Sequence, residues 1–349
     1  MGRKTQTLQK YQDISRVAGD DGRRFFSATH EEIRRADVTD VYFLKTLQVL
    51  EAAGLADTVV GADIHTSGDG ILVGVEEARR LLEGSGVRMK SLPEGSRMSE
   101  SETVMQLEGP YASFCVHETA VLGLLASSSG WATAARACVE AAGDEVPVAC
   151  FASRHLHPAA SPVMERAALI GGCASASNIL GACLCGKTPA GTMPHSFILI
   201  VGDTLAASRM YLEHMAGAGT LISLVDTIND EAVEAVRLAG ALGGKLYGVR
   251  LDTPGERGGV TGALVREVRA RLDLAGGGMV KIFVSGGVTP ERIPGLVAAG
   301  ADAFGVGSYI SDASPIDMTL DIKSISGQPV AKRGRIPGPA ITDRLEKML

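Results

Sequence analysis

The feature that most constrains this chain is a rhythm in its second half. From about residue 146 onward, short apolar runs recur, each ending on polar or glycine residues. They cover 147–151 before Ser153-Arg154, 221–225 before Asp226, and 246–249 before Arg250 and Asp252. The pattern returns at 281–284 before Ser285 and at 303–306 before Gly307. Such runs suit buried strands, and the stretch between most of them suits one helix. Spacings of roughly 20–35 residues per strand are those of βα units in a parallel sheet. Five or more units predict a barrel rather than an open sheet. No glycine-rich nucleotide fingerprint follows the first strand, which argues against a Rossmann fold.

Two of the intervening helices carry start signals. Asn229 is placed to cap a helix over 229–242, with Asp230 and Glu231 at its positive end and Gly243-Gly244 closing it. Thr289-Pro290-Glu291 places proline at the first position of another. The first half reads differently. Residues 1–36 form a polar tail. Residues 38–53 are apolar at near-helical spacing and end at Gly54. A strand at 71–75, a helix at 76–83 and a strand at 104–107 make an α+β domain over 37–117. Residues 118–324 then hold a helical connection and the barrel, and 325–349 return to complete the first domain.

Composition narrows the partners. With 349 residues and 45% hydrophobic content, two cores can be buried. A net charge of −6 offers no general attraction for nucleic acid or an anionic membrane. The uncharged stretches 119–135 and 167–186 are too short or too polar to span a bilayer and read as buried helices. The N-terminal residues lack the apolar segment of a secretory signal. None of the 6 cysteines forms a CxxC pair, so no protein-held metal is expected, and a reduced, cytoplasmic compartment fits.

The chemistry sits at the strand ends. Ser285-Gly286-Gly287 and Gly305-Val306-Gly307 follow consecutive strands. In a βα barrel, the loops after the last two strands often cradle a phosphate on backbone N–H groups. Asp226 and Asp252 end earlier strands, where a carboxylate faces the mouth of a barrel. It can hold a ribose diol, coordinate Mg²⁺ or stabilise positive charge on a sugar carbon. Its plainer alternatives are a helix cap, for Asp226, or a salt bridge. Arg154 and Arg250 also sit at strand ends and need an anionic partner, either substrate or carboxylate. His195 lies in Gly191-Thr192-Met193-Pro194-His195, a turn leading into an apolar run.

These motifs together resemble the nicotinate phosphoribosyltransferases. The resemblance is carried by Ser153 to Pro158, by Glu165-Arg166-Ala167-Ala168, by Gly191 to His195, and by the segments at 225–227, 248–252, 284–287 and 301–308. It implies an irregular (β/α) barrel of the type II phosphoribosyltransferase kind, with an N-terminal α/β sandwich domain, assembled as homo-oligomers (dimers or higher). It implies transfer of phosphoribose from phosphoribosyl pyrophosphate (PRPP) to nicotinate, in NAD biosynthesis, with Mg²⁺ on the pyrophosphate and ATP hydrolysis coupled through a phosphohistidine. His195 matches the histidine; Asp226 and Asp252 match the carboxylates. Arg154, Arg250, Asp252 and the glycine pairs with Ser285, Gly286, Gly287, Gly305 and Gly307 match the PRPP site, and Thr192 is a further expected substrate contact. Tyr42 matches a tyrosine that stacks on the base, often from a neighbouring subunit. His155 stands where the family carries a second cation. Ser177, a neutral donor, predicts the acid rather than the amide as substrate. A quinolinate phosphoribosyltransferase would need more cations, and the GTMPH segment argues against it. A non-catalytic phosphate-binding homologue is the remaining alternative.

Overall fold

The computed structural model describes residues 7–17, 24–215, 217 and 219–349, so part of the expected N-terminal tail lies outside the described residues. The chain divides into two compact units, Met1–Gly130 with Ser314–Leu349, and Trp131–Ala313.

In chain order, the first unit opens with strands β1 (Val59–Thr66), β2 (Gly70–Ile71), β3 (Arg88–Ser91), β4 (Arg97–Met98) and β5 (Thr103–Pro110). The second holds β6 (Val148–Cys150), β7 (Ser175–Ala176), β8 (Leu221–Leu224), β9 (Leu246–Leu251), β10 (Lys281–Val284) and β11 (Ala303–Val306). The chain then returns to the first unit with β12 (Met318–Ile325), β13 (Gln328–Pro329) and β14 (Glu346–Lys347).

The first unit is an antiparallel sheet in the order β13-β12-β1-β5-β3-β14. Val60, Ala62 and Ile64 alternate along β1 into the core, as period-2 geometry requires. Val75, Ala78 and Leu82 of the helix Val75–Leu82 pack on that core. The strand expected at 71–75 is corrected to Gly70–Ile71 alone. Gly74 turns the chain at φ +99, where a Cβ would lie 2.4 Å from the Leu124 carbonyl oxygen. β12 also belongs to this sheet and not to the barrel, so the return to the first unit starts before residue 325.

The second unit is a parallel sheet in the order β7-β6-β11-β10-β9-β8. These are the expected apolar runs, with β7 added. The sheet curves as a half barrel: among the described residues no ladder joins β7 to β8. Its core is aliphatic and small, and Cys138, Cys150 and Cys173 within it are at most 1% exposed. Burial pushes the Cys138 and Cys173 thiols up to about 12, so they pack as small apolar groups.

The structure departs from four local expectations. Residues 167–186 are not one buried helix. The helix Ser161–Ile170 stops where Gly171 packs on the Ala132 carbonyl and Gly172 takes φ +115. β7 follows, and then the short helix Ile179–Leu184, which leaves Ile179 and Leu184 exposed. Asp230, not Asn229, caps the helix Glu231–Leu242. Thr289 and Pro290 form a turn, and the helix Ile293–Ala298 starts later with Pro294 in its first turn. His195 does not end a turn; it is the first residue of the helix His195–Val201.

Candidate active site

The C-terminal ends of β6, β7, β9, β10 and β11 converge on a cavity of about 300 Å³. Its lining includes Arg154, His155, Ser177, Thr192, Arg250, Asp252, Ser285, Gly286, Gly287, Gly305 and Gly307. The parallel register explains the convergence. Arg250 pairs with Phe283 and Leu251 with Val284, so Asp252 and Ser285 leave adjacent strands side by side.

Arg250 organises this floor. Its Nε donates to Ser285 Oγ at 2.8 Å, one terminal nitrogen to Thr192 Oγ1 at 2.9 Å, and the other to Asp252 Oδ2 at 2.9 Å. Ser285 Oγ donates in turn to Asp252 Oδ1 at 2.9 Å. The salt-bridge alternative therefore holds for Arg250 and Asp252. Arg154 is the contrast: it is exposed, lines the cavity, and has no ion-pair partner among the described residues. An unpaired guanidinium in a concave site is a ready receptor for a phosphate or carboxylate.

The two glycine segments are glycine for different reasons. Gly286 and Gly287 take φ +83 and +60, the left-handed region. Among the described residues no carbonyl or side chain takes their amide hydrogens, which leaves two donors for an anion. Arg292 braces the turn by donating to the Gly287 carbonyl and, at 2.5 Å, to that of Val260. Gly305 has no left-handed torsion; a Cβ there would lie 2.3 Å from the Phe151 ring. Gly307 is similar, with His155 Nε2 at 3.2 Å from its would-be Cβ. The second segment is thus set by close packing of Phe151 and His155.

Phe151 carries no signal of a site in the sequence, because it reads as the end of an apolar run. It lines both this cavity and a second one of about 440 Å³ further along the sheet, and the Arg250 guanidinium lies 5.2 Å from its ring centroid. The second cavity is lined mainly by small or apolar groups such as Ala149, Ile222, Phe283 and Ala303.

His195 and Asp226 form a pair beside this floor. His195 Nε2 lies 3.1 Å from Asp226 Oδ2, and the Asp226 side chain is 1% exposed. The hydrogen bond to Asp226 holds the imidazole pKa above its ordinary value against partial burial; the Asp252 charge adds to this and Arg250 opposes it. Capping is excluded for Asp226, since Asp230 takes the Ala232 and Val233 amides. Asp226 Oδ1 and Thr227 Oγ1 are buried without a partner among the described residues.

Ser177 needs correction. Its hydroxyl donates to Glu165 Oε1 at 2.9 Å, so its hydrogen is not available to a ligand. Tyr42 lies in the other unit, exposed on the helix Val41–Ala52, with its hydroxyl 3.4 Å from Asp40. No described helix is long and apolar enough to cross a membrane.

Residues 40–129 match the family model described as quinolinate phosphoribosyl transferase, N-terminal domain, and 131–321 match its C-terminal domain. A nicotinate phosphoribosyltransferase of Mycobacterium tuberculosis is 31% identical over 85% of this chain and 67% of its own length. One from Bacillus subtilis is 29% identical over 64% of this chain and 45% of its own. The chain therefore spans about half to two thirds of these relatives. A crystal structure of nicotinate-nucleotide pyrophosphorylase from Pyrococcus furiosus superposes with a TM-score of 0.87 at 46% identity, covering 91% of this chain and 82% of that one. With the two domain models matched in succession over most of the chain, this chain belongs to the quinolinate phosphoribosyltransferase family, the type II phosphoribosyltransferases.

Proposed function

We propose that this protein is a nicotinate phosphoribosyltransferase, joining nicotinate to PRPP with release of pyrophosphate. The observation that carries the reading is one cavity holding both an unpaired Arg154 and the free amides of Gly286 and Gly287. Two separate anion receptors on one floor suit a ligand phosphorylated at both ends. In this reading the 5-phosphate sits on the glycine turn, and the pyrophosphate faces Arg154 and His155. Asp252 lines the same cavity beside Gly286, and its carboxylate stabilises positive charge building on the sugar as the C–O bond breaks. The pyridine nitrogen is the nucleophile, so no protein nucleophile is required. The Phe151 ring, shared by the polar and apolar cavities, is a platform for a flat aromatic base.

Mg²⁺ would enter with the pyrophosphate and neutralise the leaving group. The hard carboxylate oxygens of Asp252 and the unpartnered Asp226 Oδ1 are of the donor type it takes. ATP coupling through His195 fits the pair geometry: Nε2 donates to buried Asp226, which leaves the lone pair on Nδ1 for phosphorylation. Acid selectivity rests on Ser177 being neutral where a carboxylate would repel nicotinate. Exposed Tyr42 is a candidate to complete the base site of a second copy in a homo-oligomer.

The second reading is the decarboxylating transfer to quinolinate, favoured by the family models, which are described as quinolinate phosphoribosyl transferase. Chromatography of the full chain with PRPP and Mg²⁺ plus nicotinate, nicotinamide or quinolinate separates the two. Product from nicotinate, increased by ATP, is expected; product from quinolinate alone overturns the proposal.

A further inference from the structure

Two loops of the cavity share one buried anchor. Glu165, on the helix Ser161–Ile170, is 0% exposed. Its Oε1 accepts the Ser153 amide at 3.2 Å, the Ser153 hydroxyl at 2.7 Å and the Ser177 hydroxyl at 2.9 Å. Its Oε2 accepts the Asn178 amide at 2.6 Å. No arginine, lysine or histidine pairs with it among the described residues. Gly181 makes room for it: a Cβ there would lie 3.0 Å from Glu165 Cβ and 3.1 Å from the Pro162 carbonyl oxygen.

These donors are not the helix's own. Ser153 opens the single turn Ser153–His155 that follows β6 and carries Arg154 and His155. Ser177 and Asn178 follow β7. Both loops line the 300 Å³ cavity. Arg154 and His155 are themselves exposed, and among the described residues no side-chain hydrogen bond or ion pair fixes either one. A side chain that must meet a substrate phosphate within a few tenths of an ångström depends on such support from behind.

We infer that Glu165 is a positioning residue, which presets the Arg154–His155 turn and the Ser177 loop for the pyrophosphate end of the substrate. This rests on the phosphoribosyltransferase reading above. Glutamine at 165 keeps the length but offers one acceptor oxygen. Turned toward Ser153 and Ser177, its NH₂ meets the Asn178 N–H; turned toward Asn178, it meets the Ser153 N–H. Either way one loop loses its anchor while the apolar core is untouched.

The test is calorimetric titration of the full chain with magnesium pyrophosphate, for the unmodified protein, Glu165→Gln and Ser153→Ala, together with PRPP kinetics and melting curves. Glu165→Gln is expected to weaken pyrophosphate binding by about tenfold, as the loss of hydrogen bonds to a charged group implies. The KM for PRPP should rise by a similar factor, with kcat within about threefold. Ser153→Ala, which removes only one hydroxyl donor, should weaken binding by about threefold. A purely structural role would lower the melting temperature and active fraction with KM and pyrophosphate affinity unchanged, and that result overturns the inference. If Glu165→Gln does not fold, Ser153→Ala decides by the same criterion. Pyrophosphate binding needs no turnover. A protein that shows this pattern yet converts no base refutes the nicotinate assignment and supports the positioning role; one that binds no pyrophosphate refutes both.

Discussion

Replacing Gly286 by alanine tests whether the glycine turn is a phosphate cradle or a plain loop. Two costs follow from the structure. The residue sits at φ +83, and a left-handed torsion costs an alanine about 1–2 kcal/mol. Its Cβ would also lie 3.1 Å from Asp252 Oδ1, an oxygen already receiving the Ser285 hydroxyl at 2.9 Å. Asp252 must shift, and Arg250 is bonded to it. Gly276 supplies the control, since it has φ +78 and nothing within 4 Å of a would-be Cβ. Both variants should lose about 1–2 kcal/mol of stability through the torsion, or about 2–8 °C in melting temperature, and Gly286→Ala more through its contact with Asp252. Only Gly286→Ala should lose a hydrogen bond to the charged phosphate, worth about 1.5–3 kcal/mol, so its KM for PRPP should rise by about 10- to 100-fold. Initial rates against PRPP concentration, with scanning fluorimetry, read both effects. Equal KM values for the two variants would refute the cradle.

Further outcomes follow from the same geometry. Arg154→Ala removes an exposed cation with no ion-pair partner, so stability should stay within about 0.5 kcal/mol while pyrophosphate and PRPP affinity fall at least tenfold; unchanged affinity would remove Arg154 from the site. The raised pKa of His195 stabilises the fold fully below its unfolded pKa and is lost as pH rises through the folded value. Asp226→Asn should therefore return the His195 imidazole, followed by NMR, toward its ordinary titration range and remove that share of the stability lost on going from acid to alkaline pH. Ser177→Asp should lower the nicotinate-to-nicotinamide preference, and no change would sink the selectivity argument.

The barrel strands were legible because five of them are short apolar runs closed by polar or glycine residues, and those signals mark strand ends in any parallel sheet. β10 and β11 coincide with their sequence runs. β1 was not legible, since it is buried on both faces and carries Gly61 and Asp63 within it. Asp63 accepts the Ala340 amide at 2.7 Å, a partner far away in sequence, so no local alternation marks the strand. The site followed the same division. Arg250, Asp252, Ser285 and Gly286 are placed by strand register and could be read from run ends. Glu165 could not, because its acidity is hidden inside a helical, mostly apolar segment and its meaning comes from Ser153 and Ser177 on other loops. The two glycine segments looked alike in sequence, yet only the first is required by backbone torsion; the second depends on where Phe151 and His155 pack.

One floor that binds both ends of PRPP is visible in a crystal structure of the protein with PRPP and Mg²⁺. The 5-phosphate is expected within hydrogen-bond distance of the Gly286 and Gly287 amides, the pyrophosphate against Arg154, and the ribose beside Asp252. A 5-phosphate bound away from the glycine turn, or a pyrophosphate that leaves Arg154 free, would contradict it.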